Sequence, residues 1–172
     1  MTDSELRIRI QSVSVGDRTA FEEIYKELNK PIYTIIMRIT QDKSLSEDIL
    51  QEVFVKLFQS PPITAKKPRA YICQMARNLA IDGIRERPQF VDADYVDGFV
   101  SSCVNNIDDR LTVEEALKTL PLIERQIVSL HINGNLTFKE ISEILSIPLG
   151  TALWRYHKSI KLLRAYLSGG VL

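Results

Sequence analysis

The sequence predicts an all-α protein of two small helical domains joined by a linker, the C-terminal one a helix-turn-helix. Apolar residues recur at steps of three and four along most of the chain, which is the spacing of an amphipathic helix. Residues 88–108 lack such a period and indicate a linker. The 172 residues have room for two small domains. We place these at residues 1–88 and 111–172, with an acidic linker at residues 89–110.

Two short helices are expected before residue 40. The first carries the apolar stripe Ala20, Phe21, Ile24, Tyr25 and Leu28, and the second carries Ile32, Ile35, Ile36 and Ile39. Breaks are expected at Gly16-Asp17 and at Asn29-Lys30-Pro31, because glycine, asparagine and proline favour turns.

A third helix is predicted over residues 45–59. Ser44 and Glu47 fit a capping box, in which each side chain binds a free backbone N–H of the first turn. The helix is expected to end before Pro61-Pro62, since proline lacks the N–H that the helix needs to continue. Its inward stripe is formed by Leu45, Ile49, Val53 and Leu57, widened by Leu50, Phe54 and Phe58.

A fourth helix is predicted over residues 69–86. Its buried side is expected to hold Ile72, Met75, Ala76 and Leu79, with Cys73 as a packing residue. Its outward side is expected to hold Arg77, Asn78, Ile81 and Arg85, next to the loop residues Lys66 and Lys67. Positive charge beside amide groups suits single-stranded DNA. The alternative is an ordinary solvated basic surface.

The C-terminal domain carries the most diagnostic local pattern. Turns are predicted at Asn133-Gly134-Asn135 and Ser146-Ile147-Pro148, and Thr137 with Glu140 forms a capping box for the helix between them. A short helix, a tight turn and a longer helix predict a helix-turn-helix. The expected core is Leu117, Leu120, Ile127, Val128 and Leu130, and the inward face of the last helix is Leu149, Ala152, Tyr156, Ile160, Leu163 and Leu167.

The outward side of the last helix is basic. Trp154, Lys158 and Lys161 share a face, with His157 beside them. A helix that enters the major groove needs such a face for base edges and phosphates. The alternative is a solvated basic face with a stray tryptophan. Arg155 and Arg164 lie nearer the flanks, where they can pair with carboxylates instead.

Charge is uneven although the formal total is zero. Residues 61–88 carry six basic and two acidic groups, and residues 116–172 carry seven and three. Between them, residues 89–115 carry seven acidic groups and one basic group. Two basic blocks around an acidic segment are typical of a nucleic-acid binder whose total charge is neutral.

Several classes of function are excluded by the composition. No apolar run approaches the length of a membrane span, and the first residues lack a signal-peptide pattern, so we expect a cytoplasmic protein without membrane insertion. Cys73 and Cys103 have no disulfide or zinc spacing. His131 and His157, the only histidines, accompany no nucleophile or phosphate-loop motif. We therefore expect no enzyme, cofactor or metal site.

Three segments resemble the extracytoplasmic-function sigma factors of bacterial RNA polymerase. They are SEDILQEVFVKLF, YICQMARNLAIDGIR and LPLIERQIVSLHINGNLTFKEISEILSIPLGT, in the family's order. The resemblance implies a promoter-recognition subunit that binds the clamp helices of the largest polymerase subunit and the flap of the second-largest. It also implies duplex DNA as the −35 ligand, single-stranded DNA as the −10 ligand and possible sequestration by an anti-sigma factor.

The resemblance also implies a set of site residues. The polymerase contacts are Asp48, Gln51, Glu52 and Val55. The −10 contacts are Pro62, Ile63 and Thr64 in a base-capturing loop, with Tyr71, Arg77 and Asn78 near the melted strand; Lys66, Lys67 and Arg85 join them by charge. The −35 phosphate contacts are His131, Thr137 and Lys139, and the −35 reading face is Leu153, Trp154, His157 and Lys158, extended by Lys161.

Departures from the family suggest two hypotheses. The family often has tryptophan at Tyr71, tyrosine at Cys73, a basic residue at Leu153 and a small polar one at Trp154. We therefore expect weaker −10 stacking and apolar contact between Trp154 and thymine methyl groups. Independently, the acidic linker is expected to cover the DNA-binding faces of the free protein, so that neutralising Asp92, Asp94 and Asp97 raises DNA affinity.

Two other functions fit parts of the sequence. A helix-turn-helix regulator would bind duplex DNA without polymerase, but it has no use for the surface of residues 48–55 or for the ARNLAID helix. A purely helical interaction protein would leave no DNA footprint. Promoter-dependent initiation with core polymerase separates these three functions.

Overall fold

A computed structural model describes residues 1–86 and 107–168, and for residues 107–112 it describes the backbone alone. All regular elements in these ranges are α-helices. They are α1 (Asp3–Ser14), α2 (Arg18–Thr40), α3 (Lys43–Gln59), α4 (Pro68–Glu86), α5 (Ile107–Lys118), α6 (Leu122–Ile132), α7 (Phe138–Leu145) and α8 (Leu149–Leu167). None of the described helices is long and apolar enough to cross a membrane.

Helix α1 was not predicted from the sequence. Thr2 and Glu5 form a complete capping box at its start, a signal that the apolar period alone did not reveal. Leu6, Ile10 and Val13 are buried against the other N-terminal helices. The helix ends before the predicted break at Gly16-Asp17, where Gly16 adopts a φ of +92°.

Helix α2 shows that the predicted break at Asn29-Lys30-Pro31 is wrong. One helix runs through Pro31 and buries a continuous apolar stripe that includes Leu28, Ile32 and Ile35. A proline inside a helix costs about 3 kcal/mol, whereas burying one large apolar side chain contributes about 1.5–3 kcal/mol. The stripe on both sides of Pro31 therefore keeps the helix intact.

Helix α3 begins earlier than predicted, and the proposed Ser44–Glu47 capping box is wrong. The cap is Asp42, whose Oδ1 accepts a hydrogen bond from the backbone N–H of Leu45 at 2.7 Å. The end of the helix at Gln59, just before Pro61-Pro62, confirms the predicted stop. Phe58, predicted to face inward, is exposed.

Helix α4 confirms the helix predicted over residues 69–86. Ile72, Cys73 and Ala76 are fully buried, and burial raises the pKa of the Cys73 thiol to about 12. Ile81, predicted to face outward, is only 8% exposed, so the outward side of α4 is narrower than expected.

Helices α7 and α8 form the predicted helix-turn-helix. The capping box of Thr137 and Glu140 starts α7, and Ser146 ends it in the left-handed conformation, with a φ of 53°. Pro148 lies one residue before α8. All five predicted core residues of this domain are buried, whereas Leu149 and Leu167 at the two ends of α8 are exposed.

The two halves of the chain pack against each other. Residues of the C-terminal domain, including Ile127, Leu130 and Ile141, belong to the same buried apolar cluster as the N-terminal helices. Leu117, Leu120 and Val128 form a second, smaller cluster with α8. The approach is close at Gly134, where a Cβ atom would lie 3.2 Å from Cys73 Sγ. This contact between the two domains was not predicted from the sequence.

Candidate functional site

The expected polymerase contacts lie on one exposed surface of α3. Asp48, Gln51, Glu52 and Val55 are all exposed, Val55 by 50%. The opposite side of the helix is buried in the N-terminal core, which fixes its orientation. Glu52 pairs with Lys56 one turn later, at 2.8 Å. The surface thus combines carboxylate and amide groups with an apolar centre.

An aromatic cluster borders this surface, and sequence reasoning missed it. Phe58 and Tyr25 are partly exposed although both were predicted to face inward. Phe58 packs edge-on against Phe21 with ring centroids 5.1 Å apart, and Tyr25 lies 4.7 Å from Phe54. Helical spacing places these residues at the edge of the stripe, where it does not distinguish inside from outside.

Helix α1 holds the loop expected to capture a −10 base. The Arg7 side chain donates to the carbonyl oxygen of Lys66, and the Arg69 side chain donates to the carbonyl oxygen of Met1 at 2.7 Å. Ile63 and Thr64 remain exposed at the tip, while Pro62 is half-buried. The loop therefore presents an apolar side chain and a hydroxyl on a supported backbone.

The expected −10 helix residues divide into two groups. Tyr71, Asn78 and Arg85 are exposed on α4, Tyr71 by 47%. Arg77 is half-buried instead: its Nε donates to Oε1 of Gln126 on α6 at 2.9 Å, and its Nη1 donates to Asn78 at 3.0 Å. Burial and the nearby Arg85 lower the pKa of Arg77.

Lys67 is also engaged by the C-terminal domain. Its Nζ lies 3.1 Å from Oε1 of Glu140, and this hydrogen bond raises the pKa of Lys67. Both residues line a groove of about 260 Å³ between α4 and α7. Lys66 and Tyr71 line the groove on one side and Glu143 and Ile144 on the other. Expected −10 residues thus face carboxylates in this structure.

The expected −35 reading face lies outward on α8. Trp154 is 59% exposed, and His157, Lys158 and Lys161 are exposed beside it; Leu153 is half-buried. Lys158 Nζ lies 5.0 Å from the centre of the Trp154 ring, a cation–π contact that orients the indole. This arrangement offers both an apolar ring and positive charge.

The expected phosphate contacts lie around the start of α7. His131 stacks on Phe138 with ring centroids 4.4 Å apart, and its Nδ1 is 2.9 Å from the carbonyl oxygen of Leu136. The Thr137 hydroxyl is used in the capping box, whereas Lys139 is exposed. Lys139 is thus the expected phosphate contact that is exposed and has no role in the cap.

The frame of the helix-turn-helix is held by a partly buried ion pair. Arg155 on α8 donates to the buried carboxylate of Glu124 on α6. This fits the interpretation of Arg155 as a flanking residue that pairs with a carboxylate. Within the described residues, no group of three or more metal-ligating side chains comes together.

Comparisons with known proteins match both domains. The family model for sigma-70 region 2 matches residues 24–88, and the model for sigma-70 region 4 matches residues 116–165. Among curated relatives, an ECF RNA polymerase sigma factor, SigK of Mycobacterium tuberculosis, is 28% identical over 94% of this chain and 92% of its own length. SigW of Bacillus subtilis is 29% identical, with 94% and 96% covered.

Two solved structures share the fold. One is CnrH in complex with the cytosolic domain of CnrY, with a TM-score of 0.69 at 17% identity, covering 97% of this chain and 99% of that one. The other is the sigma factor RpoE in complex with the anti-sigma factor NepR from Bartonella quintana. Its TM-score is 0.71 at 16% identity, with 86% and 96% covered.

Proposed function

Because the chain belongs to the extracytoplasmic-function group of the sigma-70 family, we propose that it binds core RNA polymerase through α3 and reads a two-part promoter through α4 and α8. It is a sigma factor, a member of a family of non-enzymatic transcription initiation factors. The observation that carries this proposal is the match of regions 2 and 4, in order, to two domains with exposed candidate surfaces. The alternative function, a helix-turn-helix regulator that acts without polymerase, does not explain the match to sigma-70 region 2.

The polymerase surface comprises Asp48, Gln51, Glu52 and Val55. Its charged and amide groups favour a basic or polar partner helix, and Val55 gives the interface an apolar centre. We assign this surface to the clamp helices of the largest subunit, and the C-terminal domain to the flap of the second-largest. Polymerase would then set the spacing between the two DNA-reading domains.

The two promoter elements are read in different ways. At −35, Trp154, His157 and Lys158 face duplex DNA, where base contacts specify and phosphate contacts from Lys139 position the helix. At −10, Tyr71 and Asn78 face the melted strand, and the loop at Ile63 holds an unstacked base. Capturing a base outside the stack favours open DNA over duplex.

Run-off transcription with purified core polymerase and candidate promoters tests this function. The wild-type chain is expected to give promoter-dependent transcripts. Replacing Asp48 and Gln51 with arginine places cations on the polymerase surface, and should reduce core binding and transcription at least about tenfold. The pair Gln11→Arg and Glu115→Arg adds the same charge on exposed positions of α1 and α5, and should leave both unchanged. Failure of the wild-type chain to bind core polymerase would refute the proposal.

The setting of this activity is proposed by analogy with relatives. Two structural neighbours were solved with anti-sigma or cytosolic partner domains, CnrY and NepR. We propose that this chain works in the cytoplasm and that a comparable protein sequesters it. Co-purification of the tagged chain from its own host under non-inducing conditions tests this point, since the partner is expected to dissociate on induction.

A further inference from the structure

Helix α1 packs beside the residues proposed for the −10 element, yet it lies outside the family match. The match to sigma-70 region 2 covers residues 24–88, whereas α1 spans Asp3–Ser14. Leu6, Ile10 and Val13 are buried in the N-terminal core and fix the orientation of the helix. The match therefore leaves α1 without an assigned role.

Arg7 connects α1 to the loop proposed to capture a −10 base. This loop covers residues 60–67, between α3 and α4. Two backbone hydrogen bonds, of 2.8 Å to the carbonyl oxygen of Pro61 and 3.1 Å to that of Pro62, form the turns at its tip. Both lie within the loop, so they do not attach it to another helix. The guanidinium of Arg7 does so, because its Nη2 donates to the carbonyl oxygen of Lys66 near the end of the loop.

The start of α4 is held by α1 as well. Oδ1 of Asp3 accepts a hydrogen bond from the backbone N–H of Arg69 at 3.3 Å. The Arg69 side chain, only 12% exposed, donates to the carbonyl oxygen of Met1 at 2.7 Å. Tyr71 belongs to the same turn, since its backbone N–H donates to the carbonyl oxygen of Lys67 at 3.1 Å. Helix α1 thus fixes the loop relative to the aromatic residue proposed beside the melted strand.

The positive charge of Arg7 has two possible uses. Because the residue is exposed, its guanidinium could bind a DNA phosphate directly. The structure favours support of the loop, since the guanidinium donates to a carbonyl oxygen of the protein. Arg9 provides a comparison on the same helix, because it carries the same charge but pairs with Glu23 on α2.

We propose that Arg7 is a positioning residue for the capture of the −10 base, acting through the carbonyl group of Lys66. The inference rests on the proposed function, which assigns the loop at Pro62, Ile63 and Thr64 to −10 DNA. Holding a loop in its binding conformation lowers the cost of ordering it when the strand arrives. A loop released from α1 can adapt to several bases. Loss of the Arg7 bond therefore weakens discrimination at the captured position more than it weakens DNA binding in general.

Run-off transcription from promoters with every base at each −10 position tests this role. Arg7→Ala should reduce the preference for the best base about three- to tenfold, the range that one exposed hydrogen bond supplies. The position affected should be the one at which the loop variant Ile63→Ala loses its preference. Arg9→Ala removes the same charge from α1 and should leave the preference unchanged. Arg7→Lys retains a donor for the Lys66 carbonyl and should keep most of the preference.

Trypsin gives a readout that does not involve DNA. The bond between Lys66 and Lys67 lies in the loop, and cleavage there is identified by the mass of the fragment ending at Lys66. Arg7→Ala should speed this cleavage at least about threefold over Arg9→Ala at equal melting temperatures, because the backbone of the loop opens more often. Equal cleavage rates would overturn the proposal.

The transcription results separate the positioning role from the other outcomes. An equal loss at every −10 position, with a weaker salt dependence of binding, would identify Arg7 as a phosphate contact and overturn the proposal. Normal transcription with an unchanged base preference in Arg7→Ala would refute the positioning role alone. Absence of promoter-dependent transcripts from the wild-type chain would refute the proposed function, and the positioning role with it.

Discussion

Trp154 is an exposed aromatic residue on the surface that we assign to −35 DNA. A large aromatic side chain on an exposed helix face suggests a binding partner. The cation–π contact with Lys158 orients the Trp154 ring, and the ring stays 59% exposed. Thymine is the base that offers an apolar group, its C5 methyl, in the major groove. The residue therefore suits recognition of a methyl group rather than of a hydrogen-bonding edge.

Replacing thymine by uracil in the −35 element removes only that methyl group. If Trp154 contacts it, the wild-type holoenzyme should lose about 0.8 kcal/mol, roughly fourfold in affinity, at the contacted position. Trp154→Ala should bind both DNAs equally. Competition binding measures the ratio, with Tyr166→Ala, another exposed aromatic on α8, as the control. A ratio unchanged by Trp154→Ala would exclude the contact.

Glu140 is expected to make the free energy of unfolding depend on pH in the acid range. Partial burial alone would raise its pKa, but the hydrogen bonds from Thr137 and Lys67 outweigh burial and leave the pKa lowered. A carboxylate with a lowered pKa stabilises the fold above its unfolded pKa, and that contribution disappears as the pH falls through the folded pKa. The window therefore lies below the ordinary glutamate value of about 4.5.

Glu140→Gln tests this dependence while keeping a side chain that suits a capping box. Its free energy of unfolding should be lower than that of the wild type at neutral pH, and the difference should close as the pH falls below the ordinary glutamate value. Urea unfolding across this range measures it. Glu143→Gln removes a charge from the same helix and should show a much smaller gap. A gap that is constant with pH would contradict the assignment.

At the scale of single elements, capping signals predicted the start of α7 correctly and the start of α3 wrongly, and the capping box that starts α1 was not recognised. Thr137 and Glu140 form the capping box that their spacing indicates. At the start of α3 the sequence indicated a cap at Ser44, whereas the structure has the cap at Asp42. Buried Ser46 favours the earlier start, because its hydroxyl donates to the carbonyl oxygen of Asp42 at 2.6 Å within the helix. The apolar period of the helix carries no information about that hydrogen bond.

The corrected cap of α3 predicts a difference between two neighbouring substitutions. Asp42→Ala should lower the free energy of unfolding by about 1 kcal/mol, because the Leu45 N–H loses its acceptor. Ser44→Ala, at the position that the sequence favoured, should change it by less than about 0.5 kcal/mol. Denaturant unfolding of both variants decides between them, and the reverse order would restore the sequence-based assignment.

The limits of element prediction are also clear in α2 and α4. Proline predicts a break at Pro31, yet burial of the isoleucines on both sides keeps one helix. Ile81 was placed outward by its spacing from Arg77, but it is buried. In both cases packing against other helices decides the outcome, and a single helical period carries no information about which neighbours are present.

At the scale of the whole molecule, the sequence predicts two helical domains but not their packing. The contacts of Arg38 and Arg77 join residues 76 and 49 positions apart, and such polar side chains look like ordinary solvated groups in the sequence. Consequently the candidate −10 residues were predicted as a free surface, whereas Lys67 and Arg77 are paired with the other domain. The sequence analysis predicted that the acidic linker covers the DNA-binding faces of the free protein. Most of that linker lies outside the residues that the structure describes.

The linker hypothesis remains a separate prediction. Changing Asp92, Asp94 and Asp97 to asparagine removes three negative charges and should raise the single-strand affinity of the free chain at low salt, with the gain fading as salt is added. Unchanged affinity at low salt would rule out a role for the linker.

The pairing of Lys67 with Glu140 and of Arg77 with Gln126 also has a consequence for the crowded interior of a cell. Replication and repair of the chromosome expose unpaired DNA strands. A factor with those cations permanently free would be titrated onto such strands. With Lys67 and Arg77 paired internally, the free factor is expected to bind such strands less than a chain with unpaired cations would.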